Sequence, residues 1–568
     1  MRIADWLVLC TTLALVVLYG LWRSRGCKNV DHYMLAGRTM PWYAMALSIM
    51  ATQASAVTFI STTGQSYVDG MRFVQFYFGL PLAMVILSLT AVPLFHHARV
   101  FTAYQYLEQR FDAKTGTLVS IIFLIQRGFA LGISLYAPAV VLTVIFGWPD
   151  WITTLIMGGV AVTFTTMGGT KATAWSHMLQ MIVMTAGLVT ALICAILLLP
   201  SHISFGDAMN LAGAAGRLNA VTTKFDWNDR YNLWSGLFGG MFLALAYFGT
   251  DQSQVQRYLT GKSIAQSRLG LLFNAAAKIP MQFFILFIGA MVFVFYIYQA
   301  PPLLFDPTEM RRFQAPAVRE AYDGIARQYQ MSFEKRRAAA DHLVVTSRGV
   351  DPDRTREARA AYSNAQKEFE SARRNGIALI ERAGGKKVND TNYIFLTFVT
   401  RYLPAGLVGL VLAMILGATM SSISSEMNAL ATVSLIDIYR RHLRTVGSES
   451  HYLLVTRAAT VLWGCYAVVS AQYMKRLGSL IEAVNLLGSF FYGGMLGVFV
   501  LAFAFPKVRG RGAFWGVLSG EAVIFACWYF TNIAFLWYNV IGCAAVVLTG
   551  LAITALQGPA QVTPARIC

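Results

Sequence analysis

The sequence predicts an all-α integral membrane protein that crosses the bilayer many times. Of its 568 residues, 56% are hydrophobic and 13% are charged, whereas a soluble globular chain carries about 25% charged residues. Apolar windows of roughly 20 residues recur along the chain, and that length is enough to cross a bilayer as a helix. Helices satisfy their own backbone hydrogen bonds, which lipid cannot do. These windows therefore predict a polytopic helical fold.

Thirteen windows qualify as predicted transmembrane helices. They lie near residues 3–22, 42–68, 74–96, 117–147, 151–168, 175–199, 232–258, 270–299, 404–439, 451–474, 478–505, 513–531 and 534–556. The first window follows a single basic residue, Arg2, and has no small-residue cleavage site. We therefore expect it to be a retained span and not a cleaved signal.

Basic residues alternate between the loops that join these windows. The loop after the first window is basic, and every second loop after it is basic as well. Cytoplasmic loops carry the excess of Lys and Arg, so the pattern places the N-terminus outside and the C-terminus in the cytoplasm. The same pattern accounts for the net charge of +18. We therefore expect a lipid bilayer, and no nucleic acid, as partner, and a bacterial inner membrane as location.

The second and seventh windows contain polar interruptions. Residues 51–66 are rich in Ser, Thr and Gln, and Gly249–Gln252 interrupts the seventh window with a Gly-Thr-Asp-Gln run. Broken helices whose free carbonyls line a cavity account for such segments. Because the two windows are five apart in order, they predict two inverted repeats of five helices, each beginning with a broken helix.

This periodicity divides the chain into six parts. They are a first span with its cytoplasmic loop (1–40), a first repeat (41–200), the start of a second repeat (225–300), an extracytoplasmic charged insertion (301–391), the rest of the second repeat (392–505) and two C-terminal spans with a short tail (506–568). The insertion carries 17 Lys/Arg and 13 Asp/Glu. We expect it to form a solvated helical hairpin, with a partner-binding role as the less favoured alternative.

The ninth window carries four serines in a span that is otherwise apolar. Ser421, Ser424 and Ser425 fall on one helical face, with Ser422 on its flank. Hydroxyl groups at that depth must face protein, water or an ion. Small residues also let helices pack closely, so the spacing alone leaves helix packing and an ion site both open.

Five stretches resemble the solute:sodium symporter family. They are AGRTMPW, ATQASAVTFIS, TTMGGTKATAWSHMLQ, YFGTDQSQVQR and ATMSSISSEMNALATVSLIDIY, and they occur in this order over most of the chain. The resemblance implies the inverted-repeat fold of a bacterial leucine transporter and the sodium-driven import of a small solute. It also implies that the sodium ion is held by the carbonyls of Ala51, Ala54 and Ala418 and by the hydroxyls of Ser421 and Ser422.

Some members of that family have a second sodium site, built from two later serines and an aspartate. Here Ser424 and Ser425 match the serines, but His177 stands at the acidic position. A histidine does not supply the carboxylate that a cation prefers. We therefore expect one sodium per cycle, with proton coupling through His177 as an alternative.

The resemblance also implies a solute pocket beside the ion. The positions that match solute contacts are Thr58, Tyr77, Ala244, Lys278 and Asn485, and Tyr247 matches a gating aromatic; further candidates are Gln53, Gln75, Phe76 and Arg127. The residues that we predict to bind the solute are Gln53, Thr58, Tyr77, Tyr247, Lys278 and Asn485. Tyr77 and Ala244 replace polar groups of the sugar transporters, and Lys278 would complement an anion. SAVTF and LYAPAVVL resemble the branch that carries monocarboxylates, iodide and vitamins. We therefore expect a small organic anion, with a sugar or an amino acid as the alternative.

Other function classes are less well supported by the sequence. A sensor would need a signalling module, and only about a dozen residues follow the last window. A channel filter would need symmetric rings, whereas each broken helix occurs once. No HExxH, GxSxG or phosphate-loop motif indicates an enzyme. The prediction is a secondary transporter; the sequence leaves its oligomeric state open.

Overall fold

The structure is a computed structural model, and it describes residues 1–24, 29–310, 316–349, 351–384, 387–474 and 479–557. The described part of the chain is helical, apart from loops and one isolated β-bridge between Met40 and Gly261. Several long helices begin at side chains that accept a hydrogen bond from the first turn. Asp112 accepts from the Thr115 N–H at 2.7 Å, and Ser448 from the His451 N–H at 3.2 Å. These caps satisfy backbone donors that have no partner inside the helix.

The helices of the first half are α1 (Ile3–Arg23), α2 (Val30–Leu35), α3 (Trp42–Gln53), α4 (Ala56–Asp69), α5 (Leu80–Leu89), α6 (Ala91–His97), α7 (Ala103–Arg110), α8 (Ala113–Phe146), α9 (Asp150–Leu197), α10 (Phe205–Ala214), α11 (Gly240–Gly249) and α12 (Gln252–Leu259). The helices of the second half are α13 (Ile264–Tyr298), α14 (Pro307–Met310), α15 (Pro316–Ser347), α16 (Pro352–Gly384), α17 (Thr391–Tyr402), α18 (Leu407–Val433), α19 (Glu449–Ala471), α20 (Leu480–Ala504), α21 (Gly510–Phe530) and α22 (Leu536–Leu556). Shorter 3₁₀ and π segments lie between some of them, as at Gly70–Tyr77, Ser235–Gly239 and Ser434–Leu443.

Helix α18 lies at the centre of the fold, and α1, α19 and α21 lie at its edge. Almost every residue of α18 is buried, including all four serines. The outer helices instead expose large apolar side chains, such as Leu18, Leu454 and Phe530, which are 64%, 66% and 79% exposed. A soluble protein rarely exposes so much contiguous apolar surface, whereas a bilayer covers it.

Ten helical stretches in the described residues are long and apolar enough to cross a membrane, against thirteen predicted spans. The numbers differ because continuous stretches join neighbouring predicted spans. Trp151–Leu197 covers the fifth and sixth spans, and Ala56–His97 covers most of the second and the third. A helix of 47 residues would be about 70 Å long, more than twice the roughly 30 Å of a hydrocarbon core. Gly169 interrupts it with φ 56° and ψ −161°.

The seventh predicted span appears as the shorter apolar stretch Ser235–Gly249. It is short because the helix ends at Gly249, where the sequence predicts the second interruption. The first predicted interruption is present as well, since α3 ends at Gln53 and α4 begins at Ala56. The number of membrane crossings and the inverted repeat stay predictions.

The charged insertion forms a helical hairpin of α15 and α16. Its tip lies against α10, where the Arg348 guanidinium forms an ion pair with Asp207 and donates to the His202 carbonyl at 2.6 Å. Arg359 donates to Asn210 Oδ1 of the same helix at 3.0 Å. The hairpin is therefore docked on the rest of the chain and not free in solvent. Residues 311–315, 350, 385 and 386 of the insertion lie outside the described residues.

Protonation of Asp207 should weaken its ion pair with Arg348, which holds the hairpin on α10. The hydrogen bond from Arg348 lowers the pKa of Asp207 to about 2, so the contact is fully stabilising above the ordinary carboxyl pKa of about 3.9 and is lost as the pH falls through about 2. Asp207→Asn should therefore reduce the hydrogen-exchange protection of α15 and α16 at neutral pH. Asp341→Asn, which removes an exposed partner of His202, is the control. Equal protection in wild type and Asp207→Asn would contradict this assignment.

Candidate functional site

The break between α3 and α4 lies directly against α18. The Ser421 hydroxyl on α18 donates to the Ala51 carbonyl at 3.1 Å, and the Ser422 hydroxyl donates to the Thr52 carbonyl at 3.1 Å. Ala54, the last residue before the break, has φ −87° and ψ 70°, which ends the helix. The carbonyls near the end of α3 therefore receive hydrogen bonds from serine hydroxyls in place of N–H groups of a following turn.

Four of the five predicted sodium ligands lie together at this junction. The Ala418 carbonyl accepts from Ser421 Oγ at 2.7 Å and from Ser422 Oγ at 3.3 Å, and Ser421 also bonds the Ala51 carbonyl. Ala54 is fully buried at the same break, but no hydrogen bond links its carbonyl to the other four in the described structure. The arrangement brings together two hydroxyl and two carbonyl oxygens.

These oxygens have the chemistry that a sodium ion needs. A hard cation stripped of water binds several neutral or anionic oxygens, and interrupted helices supply carbonyls for it at membrane depth. Both serine hydroxyls donate toward carbonyls here, and a hydroxyl rotates to suit its surroundings. If the two hydroxyl hydrogens turned away, the four oxygens would be free to face one ion. The residues present thus fit a neutral sodium cage.

Two residues of the second candidate cation site, His177 and Ser425, are connected through the end of α3, where Thr52 Oγ1 donates to the Ser48 carbonyl at 2.8 Å. Ser425 Oγ donates to the Ser421 carbonyl at 2.9 Å and lies 3.0 Å from Thr52 Oγ1. The Ser424 hydroxyl is buried with no hydrogen-bond partner in the described residues. His177 is fully buried, and its Nδ1 lies 2.9 Å from the Ser48 hydroxyl. None of these groups supplies a carboxylate for a second cation.

A cavity of about 120 Å³ opens beside the same break. All six predicted solute contacts line it, namely Gln53, Thr58, Tyr77, Tyr247, Lys278 and Asn485, as do Ala244, Phe76 and Arg127. Ser422 and Thr52 form part of its wall as well. The cavity and the candidate ion site therefore share a boundary. The solute contacts remain predictions, but the fold brings these side chains to one place.

The predicted contacts differ in how firmly they are held. Gln53 Nε2 donates to Asn274 Oδ1 at 3.0 Å, and Thr58 Oγ1 donates to the Gln53 carbonyl at 3.1 Å. The Lys278 ammonium lies 5.3 Å from the centre of the Tyr77 ring, a cation–π contact. Lys278 is 1% exposed, and it has no ion-pair partner in the part of the chain that the structure describes.

One further candidate, Gln75, is structural. It is fully buried away from the cavity, and it accepts from the Thr222 N–H at 2.9 Å and donates to the Tyr231 carbonyl at 2.8 Å. Both ends of its amide are therefore occupied by backbone. Gln75 ties the segment after α4 to the loop before α11, and it has no free group for a solute.

The sequence does not reveal a buried charge network in the wall of the cavity. Arg127 on α8 donates to Glu426 Oε1 at 3.1 Å and forms an ion pair with Asp251 at the second helix break. The Tyr492 hydroxyl lies 2.8 Å from Arg127 and 3.0 Å from Asp251. Glu426 was visible as a carboxylate in the middle of the ninth window, and such a residue marks a functional or paired site. Its partner could not be read from the sequence, because Arg127 lies 299 positions away.

The sequence also matches a known protein family. The sequence model of the Sodium:solute symporter family matches residues 33–307 and 371–520, which is well over half of the chain. The chain belongs to this family. Family membership makes sodium the coupling ion and a small solute the cargo of this symporter.

Its relatives in the family include animal and bacterial transporters. The chain is 26% identical over 524 residues to a sodium-coupled monocarboxylate transporter 1 of Xenopus laevis, covering 91% of this chain and 71% of the relative. It is 25% identical over 531 residues to the sodium-dependent multivitamin transporter of Oryctolagus cuniculus, covering 93% and 70%. It is 24% identical over 565 residues to the sodium/sialic acid symporter of Proteus mirabilis, covering 98% and 96%.

A solved structure has the same fold. It is the substrate-bound, outward-open state of a Na⁺-coupled sialic acid symporter, with a TM-score of 0.75 and 22% sequence identity. The likeness covers 99% of both chains. The similarity extends over the whole architecture and not over one bundle of helices.

Removal of the guanidinium should destabilise this symporter through its two carboxylates. Arg127→Met leaves Glu426 and Asp251 buried without their cation, and breaking a buried pair costs about 3–5 kcal/mol. We expect a large fall in the melting temperature of the purified protein. The melting temperature is measured by tryptophan fluorescence. Ser134→Ala removes only a 3.3 Å hydrogen bond to Glu426 and should cost about 1 kcal/mol or less. Equal melting temperatures for the two variants would show that the network is not a stabilising unit.

Proposed function

We propose that this symporter imports a small organic anion together with sodium. The observation that carries the proposal is the buried ammonium of Lys278, which faces the cavity without an ion-pair partner in the described chain. A buried charge is costly unless it is paired. A carboxylate in the cavity would supply the missing partner. With a neutral solute, Lys278 would have to stay uncompensated or lose its proton.

The charges around the cavity support the joint binding of an anion and sodium. Arg127 and Lys278 are positive, and Glu426 and the neighbouring Asp251 are negative, so these four groups sum to zero. Sodium alone adds one buried charge, and so does the anion alone. Together they add none, so each lowers the electrostatic cost of binding the other. Coupling of this kind needs about 1–3 kcal/mol between the two sites.

The names of the relatives favour an acid over a sugar. The relatives include transporters of monocarboxylates and of sialic acid, both of which are acids, and a multivitamin transporter. A sodium/glucose cotransporter of Vibrio parahaemolyticus is also similar, at 23% identity. The sugar alternative therefore stays open at the level of relatives. The unpaired Lys278 is what favours the anion.

A mechanism follows from the shared wall between cavity and ion site. External sodium would bind among Ala51, Ala418, Ser421 and Ser422 and hold α3 against α18, which fixes the wall that Ser422 contributes to the cavity. The solute would then bind a completed pocket. Rocking of the broken-helix bundle against the other helices would release both ligands on the other side.

We further propose how the chain lies in its membrane. The chain would cross the membrane thirteen times, with the 48-residue α9 folding at Gly169 into two crossings. The termini would then lie on opposite sides, the N-terminus outside and the C-terminus in the cytoplasm of a bacterial cell. The alternation of basic loops supports this orientation. The two interrupted helices, α3–α4 and α11–α12, begin the two proposed inverted repeats. The hairpin would then lie on the outer side.

The anion proposal is tested at Lys278. Lys278→Gln removes the charge but keeps a polar side chain, so it should raise the KM for an anionic solute at least tenfold, which corresponds to about 1.4 kcal/mol. Uptake into proteoliposomes is measured for labelled monocarboxylates, sialic acid and glucose, with sodium or choline outside. Lys278→Arg keeps the charge and should retain most of the affinity. Sodium-dependent glucose uptake that Lys278→Gln leaves unchanged would favour the sugar alternative.

The sodium assignment is tested with two serines of the same helix. Ser422→Ala removes one proposed ligand, so it should raise the sodium concentration for half-maximal uptake several-fold. Ser424→Ala is the matched control, because its hydroxyl is buried without a hydrogen bond to the α3–α4 break. An unchanged sodium dependence in Ser422→Ala would make the site assignment wrong. A shift in Ser424→Ala of the same size would show that a second cation site contributes.

A further inference from the structure

A second cavity, of about 250 Å³, lies where the hairpin meets the ends of α4 and α13. It shares no lining residue with the transport cavity. Its charged lining residues are four arginines and one carboxylate, namely Arg217, Arg336, Arg373, Arg374 and Glu370. Tyr67 of α4 and Phe293 of α13 line it as well. Four guanidinium groups around one small space repel one another unless negative charge lies between them.

Arg336 is the most deeply buried of these arginines. It is 1% exposed, and its guanidinium stacks on the Phe369 ring at 3.8 Å. It donates to the Tyr296 carbonyl at 2.6 Å and to Gln366 Oε1 at 3.4 Å, but its Nε–H has no partner in the described residues. Burial lowers its pKa, and the nearby Glu370 offsets only part of that effect.

The carboxylates near the cavity are already engaged by the other arginines. Glu370 accepts from Arg217 at 2.6 Å, and Asp390 accepts from Arg373 at 2.6 Å. Within the described chain, Arg217 keeps a buried Nε–H without a partner as well. Two buried N–H donors therefore remain unsatisfied in one cavity, and the positive charges of Arg336 and Arg374 are not neutralised by these pairs. A buried donor left unpaired is unfavourable, so a partner in the cavity would stabilise both groups.

We infer that this cavity binds a small oxyanion, with the phosphate or carboxylate group as the shared chemistry. Its volume exceeds the roughly 30 Å³ that one water occupies in the liquid and would hold such a group. Guanidinium groups bind oxyanions through directed N–H bonds, which is the geometry that Arg supplies best. The group comes either from a free ion or from the headgroup of an anionic lipid.

Part of the site lies in a segment that the family model does not match. The family model leaves residues 308–370 unmatched, and this segment contributes Arg336, Phe369 and Glu370 to the cavity. An oxyanion there would link the hairpin to Tyr67, near the end of α4. Because α4 begins at the break that carries the candidate sodium site, the anion would restrain the helix at its opposite end.

The inference is tested with the purified full-length protein and inorganic phosphate. Phosphate should raise the melting temperature of the wild type in a saturable manner. Arg336→Gln should raise the phosphate concentration needed for the half-maximal shift at least tenfold. Arg337→Gln is the matched control, because it removes the same charge from the adjacent, exposed position outside the cavity. Arg374→Gln should also weaken the response to phosphate. Because Arg374 is an exposed residue of the cavity, this variant should fold, and it tests the inference if Arg336→Gln does not fold.

A second arm separates the two sources of the anion. Phosphatidylglycerol is added to delipidated protein in phosphate-free detergent solution, and the same variants are compared. A response to phosphate assigns the site to free ions, whereas a response to the lipid alone assigns it to a headgroup. The absence of any saturable response to both probes would overturn the inference. An equal response in Arg336→Gln, Arg374→Gln and Arg337→Gln would overturn it as well.

Discussion

The contact between the α3–α4 break and the serines of α18 is the constraint on which the site depends. Inside a bilayer an interrupted helix exposes carbonyl groups that lipid cannot satisfy, at a cost of several kcal/mol each. Ser421 and Ser422 cover the carbonyls of Ala51 and Thr52, so the break is tolerated only while α18 stays beside it. This contact holds the two helices in register, and it places hydroxyl and carbonyl oxygens around one point. The packing of the serines and the ion-binding role proposed for them therefore rest on the same arrangement.

The solute cavity depends on that contact because it is built on the other side of it. Ser422 and Thr52 belong both to the contact between α3 and α18 and to the cavity wall. A change in the packing of α18 on α3 therefore alters the cavity wall directly. The charged groups extend this dependence. Lys278 faces the cavity without an ion-pair partner in the described chain, while Arg127 is shared between Glu426 and Asp251. A sodium ion on one side and the proposed anion on the other would attract each other electrostatically, with no long-range conformational relay required.

Much of this could be predicted from the sequence, for physical reasons that differ between parts. Polar residues inside apolar windows located both helix breaks, because lipid cannot satisfy polar groups at that depth and a protein-lined cavity can. The solute contacts came from the family resemblance, and all six line one cavity. The Arg127–Glu426 pair could not be predicted, since its members are 299 positions apart and only the folded chain brings them together. The arginine cavity was hidden as well, because Arg336 lies in a charge run that is typical of a solvated helix. Nothing in that run distinguishes the buried Arg336 from the exposed Arg337 except the partner surface.

The two helix breaks are satisfied by different chemistry, and this difference separates their roles. At the first break the partners are neutral hydroxyls, and a neutral hydrogen bond contributes about 0.5–1.5 kcal/mol. Such bonds can be exchanged for bonds to an ion in each transport cycle. At the second break Asp251 caps α12 by accepting from the Ser253 N–H at 2.9 Å, and it is held by Arg127. Breaking a buried pair of this kind costs about 3–5 kcal/mol, which is too much for a bond that must open in every cycle. The first break is therefore suited to reversible ion binding, and the second is suited to holding the cavity wall in place while the ion and the solute come and go.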